Sequence, residues 1–313
     1  MSSVLVDAPR YTFTLAEGLI TDLPYFNTTI HWGGWFPYLA TFGTTVAYLF
    51  CIYVLFPAIK PSKEVLAVIS KYHYIGLFLY STLACVGTLY HMVSSGEISD
   101  YQSYLCKPLP GWYHLLSLSF TVSKIWEWLD TAILIWRGQS LQKIGFLHCY
   151  HHATTVFCFL HTAATPGANK VGLLLNGFVH SLMYYHYAFR LPMFVRPLIT
   201  GAQIIQLMTG TFIWSEVSRN CAAYSDFLQR EPFAYLVPYL FVPVYLLFFI
   251  RFFAEQYICK KPRTPAAATG STKDAVKQSE RSYPHATPSG AGSPISPVPV
   301  VGGKAGGASK KLD

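Results

Sequence analysis

Charge is what this chain has least of. Only 12% of its 313 residues are Asp, Glu, Lys or Arg, while 52% are hydrophobic and mean hydropathy is +0.33. A soluble domain typically carries about 25% charged residues. The shortage therefore excludes an ordinary soluble domain and points to a chain that crosses a membrane repeatedly. The basic start, short apolar run and small-residue cleavage site of a signal peptide are also missing. The first long apolar run begins at Gly33 and is expected both to target the chain and to stay in it. The seven cysteines (51, 85, 106, 149, 158, 221, 259) have no CxxC pairing, and four of them lie in apolar runs. A disulfide framework or structural zinc site is therefore not expected. There is no nucleic-acid motif.

Seven stretches reach the roughly 20 apolar residues that a spanning helix needs: 33–59, 66–93, 111–136, 144–164, 171–189, 197–215 and 232–250. Basic residues are concentrated in alternate loops. Lys60 and Lys63, Arg137 and Lys143, Arg190 and Arg196, and Lys260, Lys261 and Arg263 follow the first, third, fifth and seventh stretches. By the positive-inside rule, the N-terminus faces the lumen and the C-terminus the cytosol. Three regions result: a lumenal segment 1–32 carrying the sequon Asn27-Thr28-Thr29, a seven-helix domain 33–259, and a tail 260–313. The net charge of +8 is misleading, because the tail alone holds nine Lys/Arg against three Asp/Glu. Rich in Pro, Gly, Ser and Ala, the tail is expected to be disordered and to lie near anionic lipid. It ends Lys310-Lys311-Leu312-Asp313, a di-lysine pattern that retrieval machinery reads as an endoplasmic reticulum address.

Imidazoles are costly in hydrocarbon, so intramembrane histidines are functional candidates. At 100° per residue, His148, His151 and His152 project from one face of the fourth stretch, with Thr155 one turn on and Cys149 turned away. On the fifth, Asn176, His180, Tyr184 and Tyr187 form one stripe with Met183 beside it, and His186 falls off it. The third carries Lys124, Glu127, Asp130 and Thr131, where Lys124 and Glu127 at i, i+3 can pair. The sixth carries Thr200, Gln203 and Gln206. Four consecutive stretches thus each present a polar face, and the economical arrangement joins those faces around an enclosed polar chamber. His73, His91, His114 and His161 read as interhelical glue, and the Lys124/Glu127/Asp130 set is also compatible with a structural ion-pair network. The chamber suits three chemistries. Iron binding, as in membrane desaturases and hydroxylases, would need about eight ligands from several histidine boxes. A transporter or receptor has no need of three imidazoles on one turn. In acyl transfer, an imidazole attacks a thioester directly and neighbouring donors stabilise the oxyanion.

These residues resemble the ELO/ELOVL fatty acid elongases. The family's KxxExxDT motif is matched by Lys124, Glu127, Asp130 and Thr131. Its HxxHH box is matched by His148, His151 and His152, and its TxxQxxQ motif by Thr200, Gln203 and Gln206. Its HxxMYxYY motif is matched by His180, Met183, Tyr184 and Tyr187, with His186 in place of a tyrosine. The resemblance implies an all-α membrane protein with seven transmembrane helices around a catalytic chamber and acyl tunnel. It implies condensation of a long-chain acyl-CoA with malonyl-CoA to a 3-oxoacyl-CoA two carbons longer, without a cofactor or metal. Reduction, dehydration and a second reduction would fall to partner enzymes of the same membrane. A homo-oligomer is compatible with this.

Within that frame His151 is the expected nucleophile, forming an acyl-imidazole that a water-excluding chamber protects. His148 and His152 would tune it, and His180 would orient the malonyl thioester, with Asn176 and Tyr184 as neighbours. Lys124, Glu127, Asp130, Met183, Tyr187, Gln203 and Gln206 complete the expected substrate site. A cysteine nucleophile is the rival. Cys149 faces away, and Cys158 lies two turns from His151, about 10 Å of rise. Arg137, Lys143, Arg190, Arg196 and 260–263 are candidates for the CoA phosphates, although topology alone accounts for them equally. Lys143 stands where family branches that prefer polyunsaturated chains carry Gln, which points to saturated or monounsaturated substrates.

Overall fold

The structure, a computed structural model, describes residues 36–107, 109–162, 165–221 and 236–259. The described residues are helical throughout, without a strand. The Asn27 sequon, the start of the seventh stretch, Lys260, Lys261, Arg263 and the di-lysine end lie outside them.

Helix α1 (Phe36–Phe50) runs on through a wider π turn, Cys51–Leu55, to Ala58. Helix α2 (Lys63–Ser94) starts at Ser62, whose hydroxyl accepts the Val65 N–H, with Glu64 in the first turn where the helix dipole favours an acid. Its exposed side carries Leu79, Leu83, Val86 and Tyr90 at i, i+4, i+7 and i+11. A continuous apolar stripe of this kind suits lipid rather than water. Helix α3 (Tyr101–Cys106) is short and capped by Asp100, whose carboxylate accepts from Gln102 N and Ser103 Oγ at 3.0 and 2.6 Å. Those bonds hold its carboxyl below the usual carboxylate range.

The third stretch forms two helices instead of one, α4 (Gly111–Trp126) and α5 (Trp128–Trp136). The backbone tightens at Glu127 (ψ −16°), whose side chain is shared between Lys124 and His180. A short turn, α6 (Leu141–Ile144), leads through Gly145 into α7 (Phe146–Thr162). Gly145 has φ +93°, which side-chain-bearing residues rarely adopt, and this turn sets where the histidine helix begins. α7 has 17 described residues, about 25 Å of rise, and begins at Phe146 instead of at 144 as the apolar run suggests. Helices α8 (Pro166–Phe189) and α9 (Val195–Asn220) are longer than their apolar stretches. Last is α10 (Val242–Phe253), flanked by π turns at Val237–Phe241 and Ala254–Ile258, the first of which contains Pro238. Of the described helices, Lys63–Ser94 and Val237–Ile258 are long and apolar enough to cross a membrane on hydropathy alone. The apolar helix Phe42–Ala58 is shorter.

Helix α8 is the hub. It packs along α2 so closely that a Cβ on Gly177 would lie 3.0 Å from the Ser81 carbonyl, and Thr82 bonds Ser181 across the same contact. Helices α7, α8, α9 and α10 contact one another in sequence around a ring, and α1 and α4 pack on α7. At one end of the ring Leu105, Ala168, Val171, Trp214 and Val217 pack together.

That end also holds a correction. Cys106 and Cys221 form a disulfide, although their spacing gave no sign of one. They are 115 residues apart, and only the return of α9 alongside α3 brings them together. The other described cysteines are free.

Candidate active site

Lys124 and Glu127 pair as their spacing predicts, with Nζ donating to Oε1 at 2.7 Å. Both are buried, and Nζ also donates to Asn176 Oδ1 at 2.8 Å while lying over the Phe120 and Phe159 rings. Sharing the ammonium this way offsets much of the cost of burying it. His180 Nδ1 lies 3.3 Å from the same Glu127 oxygen. Glu127, His151 and His180 each bring a polar atom to a common point, all within 4.8 Å of one another.

The three box histidines project from one helix yet do different things. His148 Nε2 lies 2.8 Å from Thr131 Oγ1, which lies 3.0 Å from the Tyr48 hydroxyl, so it looks towards α5 and α1. His152 packs between its neighbours, its ring centroid 4.5 Å from that of His148 and, edge-on, 5.4 Å from that of His151. Neither of its ring nitrogens has a hydrogen-bond partner, and the Trp128 indole N–H donates to its carbonyl. His151, unlike His148 and His152, lines the cavity between α7 and α10.

That cavity, about 90 Å³, lies within the ring of α7–α10. His151, Thr155, Thr162, Asn176, Gln206 and Tyr245 bring polar groups to its lining, and Phe159, Val171, Trp214 and Val237 are among its apolar walls. Asn176 joins Lys124, beside Glu127 and His151, whereas Ala168, Val171 and Trp214 pack at the disulfide end. The cavity therefore runs from the histidine cluster towards the disulfide, parallel to α7, over the roughly 16 Å of rise between His151 and Thr162. An apolar slot with a few converging polar groups at one end suits a ligand with an apolar tail and a reactive polar head.

Other expected site residues form a layer beside the cluster. Asp130 accepts from the Tyr184 hydroxyl at 2.6 Å and from His73 Nε2 at 2.9 Å. Tyr187 packs on Tyr74 and Tyr184, and Gln203 Nε2 lies 3.9 Å from Met183 Sδ. These residues do not line the cavity; they fix the α8 face that presents His180. His186 sits off that face and accepts from Arg196 Nε at 3.3 Å. Cys158 lines the cavity with His151, whereas Cys149 packs towards Tyr48.

A family model, ELO, described as the GNS1/SUR4 family, matches residues 37–265. The chain belongs to this family. Among relatives, fatty acid elongase A of Dictyostelium discoideum is 28% identical over 240 residues, 72% of this chain and 86% of that protein. Very long chain fatty acid elongase 2 of Rattus norvegicus is 28% identical over 269 residues, 78% of this chain and 89% of that protein. Long chain fatty acid elongase 1 of Caenorhabditis elegans is 31% identical over 147 residues, 45% of this chain. The chain spans about half the length of that worm relative, 50%.

For this GNS1/SUR4 family member, an all-helical membrane protein, the Glu127–His151–His180 trio has the donor types and closeness of a metal site. Lys124 argues against that use: its ammonium lies 2.7 Å from the carboxylate oxygen that would bind the ion, and the two cations would repel. The same three residue types also suit a nucleophile, a partner base and an orienting carboxylate. Sequence reasoning missed Tyr48 and Tyr245, and placed His73 only as glue. Tyr residues are frequent in this chain, 22 in all, so nothing marked these two before α1 and α10 were seen against α7.

Proposed function

We propose that this chain condenses a long-chain acyl-CoA with malonyl-CoA, forming a 3-oxoacyl-CoA two carbons longer and releasing CO2 and CoA. The observation that carries the reading is His151, which meets Glu127 and His180 at the polar end of an apolar cavity. The relatives' names support the same class of reaction.

His151 attacks the thioester carbonyl; the C–S bond breaks, and the departing CoA sulfur takes the proton that the imidazole gives up. An acyl-imidazole remains, its tail in the apolar part of the cavity. Malonyl-CoA then loses CO2, and the electron pair of the broken C–C bond attacks the acyl carbon. The C–N bond breaks, and the imidazolate takes a proton from solvent, the one proton that the overall condensation consumes. Glu127, 3.3 Å from His180 Nδ1, orients that ring towards the malonyl thioester. Lys124 and Asn176 offer positive charge and an amide where oxyanions develop. The Tyr48–Thr131–His148 chain holds the first turn of the box in place.

In this reading the chain crosses the membrane seven times, with the histidine end towards the cytosol and the disulfide end in the lumen. The disulfide favours that orientation, because such bonds persist in oxidising compartments. In this reading the protein resides in the endoplasmic reticulum membrane. Its 3-oxo product calls for a reductase, a dehydratase and a second reductase as neighbours.

The test is to supply membranes containing the full chain with labelled malonyl-CoA and a panel of acyl-CoAs. Products two carbons longer are expected, with His151→Ala lowering their formation by roughly 10³-fold or more. Full activity in His151→Ala would sink the imidazole mechanism, and stoichiometric iron in the purified active protein would favour the desaturase chemistry instead. The panel also reads chain length and unsaturation.

A further inference from the structure

Tyr245 stands on α10, to which the sequence motifs assign no functional residue, yet it touches the reacting centre. Only 3% exposed, its ring lines the cavity and meets the His151 ring edge-on, 5.2 Å between centroids. Its hydroxyl reaches Thr154 Oγ1, one turn beyond His151, and lies 3.6 Å from Cys158 Sγ.

The direction of the Tyr245–Thr154 bond follows from counting protons. Thr154 has a single hydroxyl hydrogen, donated to the Tyr150 carbonyl at 2.6 Å. Tyr245 is therefore the donor towards Thr154. With its proton committed to α7, the phenol is not free to act as an acid towards a bound thioester. What it offers His151 is an aromatic wall with a locked orientation. The Tyr150 ring supports that wall from behind, 5.4 Å away. On its polar side His151 meets Glu127 and His180; on this side it meets the Tyr245 ring.

An acyl-imidazole is open to water. In the leak, a water oxygen attacks the acyl carbon, the C–N bond breaks, one water proton passes to the ring nitrogen and a free fatty acid departs. We propose that Tyr245 is a positioning residue whose ring closes the α10 side of His151 against water, so that the acyl group passes to the malonyl carbanion instead of being hydrolysed. This rests on the elongase reading and adds to it the residue that sets the partition between condensation and hydrolysis.

The experiment measures two products from the full-length protein in its membrane: 3-oxoacyl-CoA with malonyl-CoA present, and free fatty acid with malonyl-CoA absent. Tyr245→Leu should raise the ratio of hydrolysis to condensation about tenfold, with the KM for acyl-CoA little changed. Tyr245→Phe keeps the ring but loses its bond to Thr154, and should give a ratio between those of the wild type and Tyr245→Leu. Thr154→Val frees the phenol without removing the ring and should give an intermediate ratio; it decides the matter if Tyr245→Leu does not accumulate. A merely structural role would lower both products together, and an unchanged ratio in Thr154→Val and in whichever Tyr245→Leu protein accumulates overturns the proposal. So does a Tyr245→Phe enzyme as leaky as Tyr245→Leu, or hydrolysis that survives when His151→Ala is combined with Thr154→Val. A wild-type protein that forms no 3-oxoacyl-CoA would instead refute the elongase reading itself.

Discussion

Each end of the helix ring buries a glutamate between a lysine and a histidine. At the histidine end, Glu127 lies 2.7 Å from Lys124 Nζ and 3.3 Å from His180 Nδ1. At the disulfide end, Glu97 lies 2.5 Å from Lys170 Nζ and 3.5 Å from His91 Nε2, with Lys107 at 3.8 Å. By composition and burial the two clusters are near-duplicates, so burial of charge does not by itself identify a site. The difference is in their surroundings. Beside Glu127 lies a cavity, reached through His151. Beside Glu97 the disulfide ties α3 to the end of α9, and the Tyr104 ring covers Lys170 at 5.4 Å. One cluster is poised to meet a ligand, and the other staples chain segments together.

The sharpest way to break this comparison is to neutralise both glutamates. Glu127→Gln should lower two-carbon product formation by about 10²-fold, as measured in membranes containing equal amounts of folded protein. Glu97→Gln should leave turnover per folded molecule close to wild type and cost about 3 kcal/mol of stability, because Lys170 is left buried without its counter-charge. A Glu97→Gln protein with wild-type thermal stability and little activity would reverse the assignment. Next in size, Cys106→Ser should destabilise by about 2–4 kcal/mol. Thermal melting with and without reductant would show it: the wild type should shift on reduction and the variant should not.

A smaller effect is expected at the outer support of the box. Thr131→Val leaves His148 Nε2 without its oxygen partner, at about 1–3 kcal/mol. Turnover should fall while the KM for acyl-CoA holds, since Thr131 does not line the cavity. A raised KM with unchanged turnover would place Thr131 in substrate binding instead. The smallest change is predicted for Cys149→Ala, which removes a thiol that packs towards Tyr48 and away from the cavity. Turnover should stay within about twofold of wild type, and a large loss would revive cysteine as the nucleophile.

Parts of this comparison were legible in the sequence and parts were not. The i, i+3 pairing of Lys124 with Glu127 needed only helical phase, as did the common face of the box and the position of His186 off the His180 stripe. The break between α4 and α5 at Glu127 was hidden, because apolar residues continue on both sides of it. So was the division of labour within the box: helical phase places three imidazoles on one face, but neighbouring helices decide which of them sees a cavity. The Glu97 cluster was missed altogether. Its members come from separated segments, and only the packing of α8 near the start of α3 brings Lys170 to Glu97.

The sequence by itself determined that this chain is helical and membrane-bound, and which faces of its helices are polar. Those properties follow from hydrocarbon's intolerance of unpaired backbone and charge and from a helical repeat that is the same everywhere. Tertiary structure alone decided that Cys106 meets Cys221, that Asp130 holds His73 and Tyr184, that Tyr245 backs His151, and that one Glu–Lys–His cluster adjoins the His151 cavity while the other lies beside the disulfide. Contacts between residues tens of positions apart depend on how helices pack, and packing is set by the shapes of whole faces, which no local pattern encodes.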